Sequence, residues 1–353
     1  MKQVDNTGSS LLIRLAALFI VIYALQAATT LIIPFLLAIF LALITLKPLF
    51  LLQRKGIPAF IAALIIVASI MTILLLFGSL LGTSIAEFTT ALPSYQARLD
   101  LILDRLIGAT PNFLSINEAN LSISQIIDPG WAMSFVATIL NALRDVLTNA
   151  FLIMFTMIFI LLEVSAFEVK LLAAFKRNKD SFVRQKMYVN NLGRYLGIKT
   201  IVSIATGITV TVATSMIGLD FPFLWGMFAF LLNYIPTIGS IIAAVPAVLM
   251  ALVQLGVGDA VTTAIAFFAI NLIFGNFIEP RLLGYGVGLS PLIVFISLFL
   301  WGWIFGPVGM ILSVPLTMAL KMALENDEQT RWLAIIIGSE DDAHHQINLE
   351  KLP

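Results

Sequence analysis

Phe223–Leu255 reads FLWGMFAFLLNYIPTIGSIIAAVPAVLMALVQL, and its length decides the fold. A membrane-spanning helix needs roughly 20 mostly apolar residues, and this run goes well past that. It is interrupted at Asn233-Tyr234-Ile235-Pro236-Thr237-Ile238-Gly239-Ser240. Pro236 lacks a backbone donor and clashes with the carbonyl four residues back. Gly239 loosens the same turn. The segment is therefore either one kinked crossing or a re-entrant hairpin. Irregular backbone at membrane depth survives only where protein or a water-filled cavity surrounds it.

Seven further apolar runs flank it: Leu11–Ala28, Leu31–Leu52, Pro58–Leu81, Leu147–Val164, Tyr195–Ile217, Ala260–Phe277 and Pro291–Leu324. Such runs suit helices, since barrel strands would alternate with a period of two. The expected fold is an all-α polytopic membrane protein. It has about eight transmembrane helices, with proline-broken or re-entrant segments in the C-terminal half.

Composition leads the same way. Of 353 residues, 60% are apolar and 11% charged. A soluble domain has roughly 45–50% and 25%. Mean hydropathy is +1.02. Too few charges remain to clothe a soluble enzyme of this size. Twenty basic residues balance twenty acidic ones, so no basic excess points to nucleic acid. Two histidines, His344 and His345, and no cysteine leave no donor set for a zinc, haem or iron–sulfur site. No metal and no cofactor is expected. The first apolar run lacks the cleavage site and polar continuation of a signal peptide.

Orientation follows the Lys/Arg bias of the loops. With the N-terminus inside, Lys2, Arg14, Lys47, Arg54, Lys55, Lys170, Lys176, Arg177, Lys179, Arg184, Lys186, Arg194, Lys199, Lys321, Arg331 and Lys351 fall inside. Only Arg98, Arg105, Arg144 and Arg281 fall outside. Both termini are thus expected in the cytoplasm. Residues 1–81 hold transmembrane helices one to three, and 82–146 a small helical outer (periplasmic) domain. Residues 147–164 are the fourth helix. A basic amphipathic cytoplasmic segment occupies 165–194, with Phe167, Leu171, Phe175 and Phe182 interleaved among its charges. Helices five to eight lie in 195–324, and 325–353 is a cytoplasmic tail.

Broken helices are the best sequence pointer to a transport site. The first break offers Asn233, Tyr234, Thr237 and Ser240 around Pro236. The second comprises Asn271, Gly275-Asn276-Phe277-Ile278-Glu279-Pro280-Arg281 and the glycines 284, 286 and 288. Glu279 and Arg281 are the only charges between Asp259 and Lys321. An ionisable residue at membrane depth is a functional hypothesis by default. The substrate-binding set proposed from sequence is therefore Asn233, Tyr234, Pro236, Thr237, Ser240, Asn271, Asn276, Glu279 and Arg281. Gly302, Gly306 and Gly309 suggest a packing seam, as do the four-spaced pairs Gly78/Gly82 and Gly193/Gly197. Glu163 and Lys199, at the inner ends of neighbouring helices, are expected to pair. No Walker motif, arginine ladder or hydrolytic triad appears, so the expectation is a transporter or pore and not an enzyme.

With its two breaks the sequence resembles the autoinducer-2 exporter family of bacterial membrane proteins, also called PerM-like. The resemblance rests on Ile33-Pro34-Phe35-Leu36-Leu37-Ala38, Lys47-Pro48-Leu49, Tyr195-Leu196-Gly197-Ile198-Lys199-Thr200 with Ser203 and Gly207, and Trp225-Gly226. It continues through Asn233-Tyr234-Ile235-Pro236, Gly239-Ser240, Asn271, Gly275-Asn276, Glu279-Pro280-Arg281 and Gly288-Leu289-Ser290. Trp301-Gly302, Gly306-Pro307-Val308-Gly309 and Ser313-Val314-Pro315-Leu316 close it. It runs almost the whole chain and looks close to the quorum-signal exporters of the family. It implies an eight-helix protein of the bacterial inner membrane that exports autoinducer-2 as a homo-oligomer. Some members look like sodium(lithium)/proton antiporters. A third reading is a structural or regulatory membrane protein without solute flux. Autoinducer-2 is a small hydroxyl-rich furanose-like solute, neutral or anionic as its borate ester. It calls for hydrogen-bonding side chains such as Asn233, Tyr234, Thr237, Ser240, Asn271 and Asn276. A cation antiporter would instead call for a carboxylate such as Glu279.

Overall fold

The computed structural model describes residues 7–108, 138, 141–142, 144–174, 179–236, 238–283, 288–325 and 327–340. Thr237, Gly284, Gly286 and most of 109–143 lie outside the described residues, as does the tail beyond Glu340. Every described element is a helix, and no strand occurs among the described residues. In chain order they are α1 (Thr7–Ala27), α2 (Thr29–Arg54), α3 (Ala59–Gly108), α4 (Ala150–Ala174) and α5 (Lys179–Ile217). Then come α6 (Pro222–Leu232), α7 (Ile238–Gln254), α8 (Val257–Asn271), a π-helical segment (Leu272–Ile278) and α9 (Glu279–Leu283). The last are α10 (Pro291–Ile311), α11 (Ser313–Glu325) and α12 (Arg331–Ile337).

The chain is an all-α polytopic membrane protein. Among the described residues, five helical stretches are long and apolar enough to cross a bilayer: Thr29–Arg54, Ala59–Ser84, Val189–Ile217, Val257–Leu283 and Pro291–Ile311. Ala150–Val164, Pro222–Leu232 and Ile238–Gln254 are shorter apolar helices. α4 shows why lipid is the solvent. Ile153, Met157 and Leu161, spaced by four, are buried on one face. Phe151, Phe155 and Phe159 are exposed, with Phe151 at 78%. A soluble helix would put charges on that second face.

The chain forms two units, 1–67 with 149–186 and 289–353, and 68–148 with 187–288. In the first, α2 packs on α4 through a stripe of Pro34, Ala38, Ala42, Thr45 and Leu49, mostly small residues that allow close approach. Thr29 donates its hydroxyl hydrogen bond to the Ile304 carbonyl, 3.1 Å away, tying α2 to α10.

α10 is not one straight helix. Gly306, at φ +63° and ψ −149°, breaks it, and α11 returns. The Trp301 indole N–H donates to Thr317 Oγ1 across the two arms at 3.0 Å. The three seam glycines do different things here. A Cβ on Gly309 would overlap the Trp301 carbonyl, and one on Gly302 would press on the Met310 side chain. Gly306 has open space around it, and its requirement is the left-handed backbone. Gly82 and Gly197 also face open space.

In the second unit, 222–254 is two helices, not one kinked crossing. The Asp220 backbone N–H donates to Gln254 Oε1 at 2.9 Å, and Gln254 Nε2 donates to the Gly218 carbonyl at 3.2 Å. The segment therefore ends where it began, with its tip at 233–236. At about 1.5 Å per residue, α6 is about 16 Å long and α7 about 25 Å, both short of a hydrocarbon core of about 30 Å. The geometry is that of a re-entrant hairpin. α8 then packs along α7.

The two hairpins share a signature. Phe223-Leu224-Trp225-Gly226 and Phe299-Leu300-Trp301-Gly302 lie on the ingoing arms, and Val245-Pro246 and Val314-Pro315 on the returning arms. Just past each tip proline a glycine is pressed on the ingoing arm. A Cβ on Gly239 would overlap the Leu232 carbonyl, as one on Gly309 would overlap that of Trp301.

Candidate functional site

α5 supplies the spine of the site. Lys199, Ser203, Gly207 and Thr211 are four apart and so share one face, with Thr200 beside them. Thr200, Thr206, Thr209, Thr211 and Thr214 each donate a hydroxyl to the carbonyl four residues back, at 2.8–2.9 Å. That satisfies the hydroxyl protons without water. At Gly207 the backbone of α6 comes against α5: a Cβ on Gly207 would stand 2.8 Å from the Gly226 carbonyl oxygen. The close approach brings the tip of the first hairpin onto the polar face.

Three polar pairs result. Asn233 Nδ2 donates to Ser203 Oγ at 2.9 Å, and both residues are buried. The Tyr234 hydroxyl donates to Thr200 Oγ1 at 2.8 Å. Beside Thr200 on α5, Lys199 Nζ donates to both oxygens of Glu279, at 2.6 and 2.8 Å. The Lys199 side chain is 5% exposed and that of Glu279 15%. Buried charges are expensive unless paired and hydrogen-bonded, and this pair is both.

The π-helical segment presents Glu279. Its backbone N–H reaches the Phe274 carbonyl, five residues back instead of four. Such wide turns are rare and recur at functional sites. Asn271, at the head of the segment, folds over Gly275: a Cβ there would stand 3.1 Å from Asn271 Oδ1.

The residues proposed from sequence divide into three groups. Asn233, Tyr234 and Glu279 meet α5. Ser240 and Asn271 line a groove of about 320 Å³ between α7 and α8, whose other walls are Ile241, Ala244, Val245, Val248, Leu249, Ala264, Phe267 and Phe268. Asn276 and Arg281 are exposed. Pro236 sits in the tip, its carbonyl accepting from the Ile238 N–H at 2.6 Å, and Thr237 lies outside the described residues.

Two sequence expectations change. Lys199 finds its carboxylate in Glu279, where Glu163 had been expected. Arg281, two residues from Glu279, had been assigned to the opposite face of the membrane from Lys199. The direct Lys199–Glu279 contact instead brings the end of the π-helical segment beside Lys199 on α5. Thr200 and Ser203 are site residues the sequence reading passed over, and Lys199 is one it gave only a structural pairing. Their signal was available: three polar side chains within five residues of an otherwise apolar span.

At the hairpin base, Asp220 gathers two partners besides the Gln254 contact to its N–H. Its carbonyl accepts from the Trp225 indole N–H at 2.8 Å, and its carboxylate from the Tyr95 hydroxyl at 2.6 Å. Burial first, then the hydrogen bond to Asp220 and its charge, push the Tyr95 hydroxyl up to about 12, so it is a neutral donor at physiological pH. The next residue, Phe221, is left-handed at φ 59°, a costly conformation for a bulky side chain.

Comparison with known proteins adds a family-scale result. Residues 11–328 match the family described as AI-2E family transporter. The AI-2 transport protein TqsA of Escherichia coli K12 is 36% identical over 335 residues, spanning 94% of this chain and 96% of its own. A Haemophilus influenzae protein with a provisional transport name is 34% identical over 336 residues, 94% of this chain and 97% of its own. A third, the provisionally named transport protein YhhT of Escherichia coli K12, is 32% identical over 337 residues.

Proposed function

The chain belongs to the AI-2E transporter family, and on that premise we propose that it exports autoinducer-2 across the bacterial inner membrane. The observation that carries the substrate is the cluster on α5. Two of its three pairs are hydroxyl or amide contacts, Thr200–Tyr234 and Ser203–Asn233, the chemistry a small hydroxyl-rich solute needs. The name of the E. coli relative supports the same solute. The names of the family and its members point to transport and not to catalysis. The cation-exchange reading is weaker, since both Glu279 oxygens are already engaged by Lys199.

The test is external autoinducer-2 accumulation in cells with and without the protein, and with Asn233→Ala. Each hydrogen bond to solute is worth about 0.5–1.5 kcal/mol, roughly 2- to 12-fold in affinity. Export falls by that factor in the variant while membrane levels of the protein hold. Equal accumulation with and without the protein refutes the substrate.

We further propose that both termini are cytoplasmic, from the loop charge bias, that the outer domain of 82–146 is periplasmic, and that the assembly is a homo-oligomer, as the family likeness implies. The chain has no cysteine, so single cysteines can be labelled with an impermeant reagent. One replacing Asn117 is labelled from the periplasm and one replacing Lys179 is protected. The reverse pattern inverts the topology.

A further inference from the structure

We propose that Lys199 and Glu279 are solute-engaging residues, each standing in for a vicinal diol until the solute arrives. The inference rests on the transport reading and names the chemistry by which the site holds its cargo.

Packing alone does not account for the pair. A buried ammonium–carboxylate pair is a weak source of stability, and an apolar pair of similar volume is often as stable or more so. Its position is functional. Lys199 is adjacent to Thr200 and one turn from Ser203, the two residues that hold the hairpin tip. The hairpin base lies toward the other end of α5, at Gly218 and Gln254. The pair thus closes the polar cluster on the side of the tip remote from the base. Tyr195, one turn earlier on α5, is buried and extends the same wall.

The chemistry fits a diol. The two oxygens of Glu279 now accept from one ammonium, at 2.6 and 2.8 Å. Two neighbouring hydroxyls can replace it, one on each oxygen, while the three donors of the freed ammonium turn to the oxygens of the same solute. A borate ester would present its negative charge to Lys199 directly. The π-helical segment is the positioning device. A ladder reaching five residues back, where an α-helix reaches four, fixes the rotation at which Glu279 meets Lys199.

The full-length protein is purified and reconstituted in liposomes, and transport of autoinducer-2 is measured with and without borate. The neutral pair Lys199→Met/Glu279→Leu keeps the native melting temperature and assembly. Its KM rises about tenfold or more, the loss of two or three hydrogen bonds, and autoinducer-2 no longer raises its melting temperature. Lys199→Arg guards against a misfolded double variant. It keeps a charge pair, so it folds, yet its planar fork holds Glu279 in a different geometry and KM still rises. Native KM in either folded variant makes the pair interhelical glue and overturns the inference. A native protein that neither moves nor is stabilised by autoinducer-2 refutes the export reading separately. Ribose, a plain vicinal diol, then decides: stabilisation of the native protein but not of the double variant sustains the pair's role, and no stabilisation of the native protein ends it.

Discussion

Glu279→Gln lowers the unfolding free energy of the protein by about 3 kcal/mol, and it does so without changing the size of the side chain. The loss comes from the partner. Lys199, 4% exposed, is left with a neutral amide where two carboxylate oxygens had faced it. Removing one member of a buried pair costs roughly 3–5 kcal/mol because the other charge stays behind unpaired. The lower end applies here, since the Glu279 side chain is 15% exposed and water reaches that edge. Denaturation of the purified protein in detergent reads the difference, and a variant as stable as the native protein would refute a buried, charged Lys199. The result also bears on how transport data are interpreted. Lost activity in Glu279→Gln alone does not distinguish a missing proton carrier from an orphaned ammonium. The double replacement of both residues does, because it removes the charge with its partner.

Gly239→Ala is the second large effect. The added methyl carbon would overlap the Leu232 carbonyl and stand 3.0 Å from Ile235 Cβ. Both belong to the backbone or first side-chain atom of the hairpin tip, so neither swings aside as a long side chain would. Overpacking of this kind costs about 1–3 kcal/mol, and a backbone obstacle belongs at the upper end. The cost also falls where it matters, since moving the tip moves Asn233 and Tyr234 off Ser203 and Thr200. Gly258→Ala is the matched control. It lies in α8 with nothing within 4 Å, and alanine is the better helix former by up to about 1 kcal/mol. The expected melting temperatures are ordered Gly258→Ala at or above native, then Gly239→Ala well below. Equal values for the two variants would refute the close contact at the tip.

The helical runs and the break at Pro236 were legible because both depend on local chemistry, apolar length and a missing N–H. Whether 223–255 crossed or returned was not. That choice is made by the Gln254 side chain reaching the backbone of Asp220 and Gly218, more than thirty residues back, groups that no local pattern marks. The side expected for Arg281 depends on that choice, because every later segment inherits the direction of the one before. Glu279 stood out as a lone carboxylate in an apolar stretch, but its partner Lys199 lies eighty residues away, and the neighbouring helix ends suggested Glu163 for that lysine instead. Glycines four apart in one helix can be found by eye, and that search reached Gly302. It could not find Gly207 and Gly226, whose contact joins two helices. Asn276 and Arg281 share the second break with Glu279 yet are exposed, because membership of a broken segment says nothing about which way each side chain faces.

The re-entrant hairpin also constrains how the protein is made. Its arms are too short to be threaded across the bilayer one at a time, and its tip carries Asn233 and Tyr234 into apolar surroundings. Neither is acceptable to a nascent chain on its own. Synthesis order resolves this, because α5 leaves the ribosome first and already carries Ser203 and Thr200 when the tip emerges. Lys199 has the opposite history. Its carboxylate is translated eighty residues later, so throughout that interval the ammonium has to be kept in water at the membrane surface, on its long stem. Only when α8 and the π-helical segment have been inserted can it be drawn in, which makes closure of the Lys199–Glu279 contact a late event in the biogenesis of this unit.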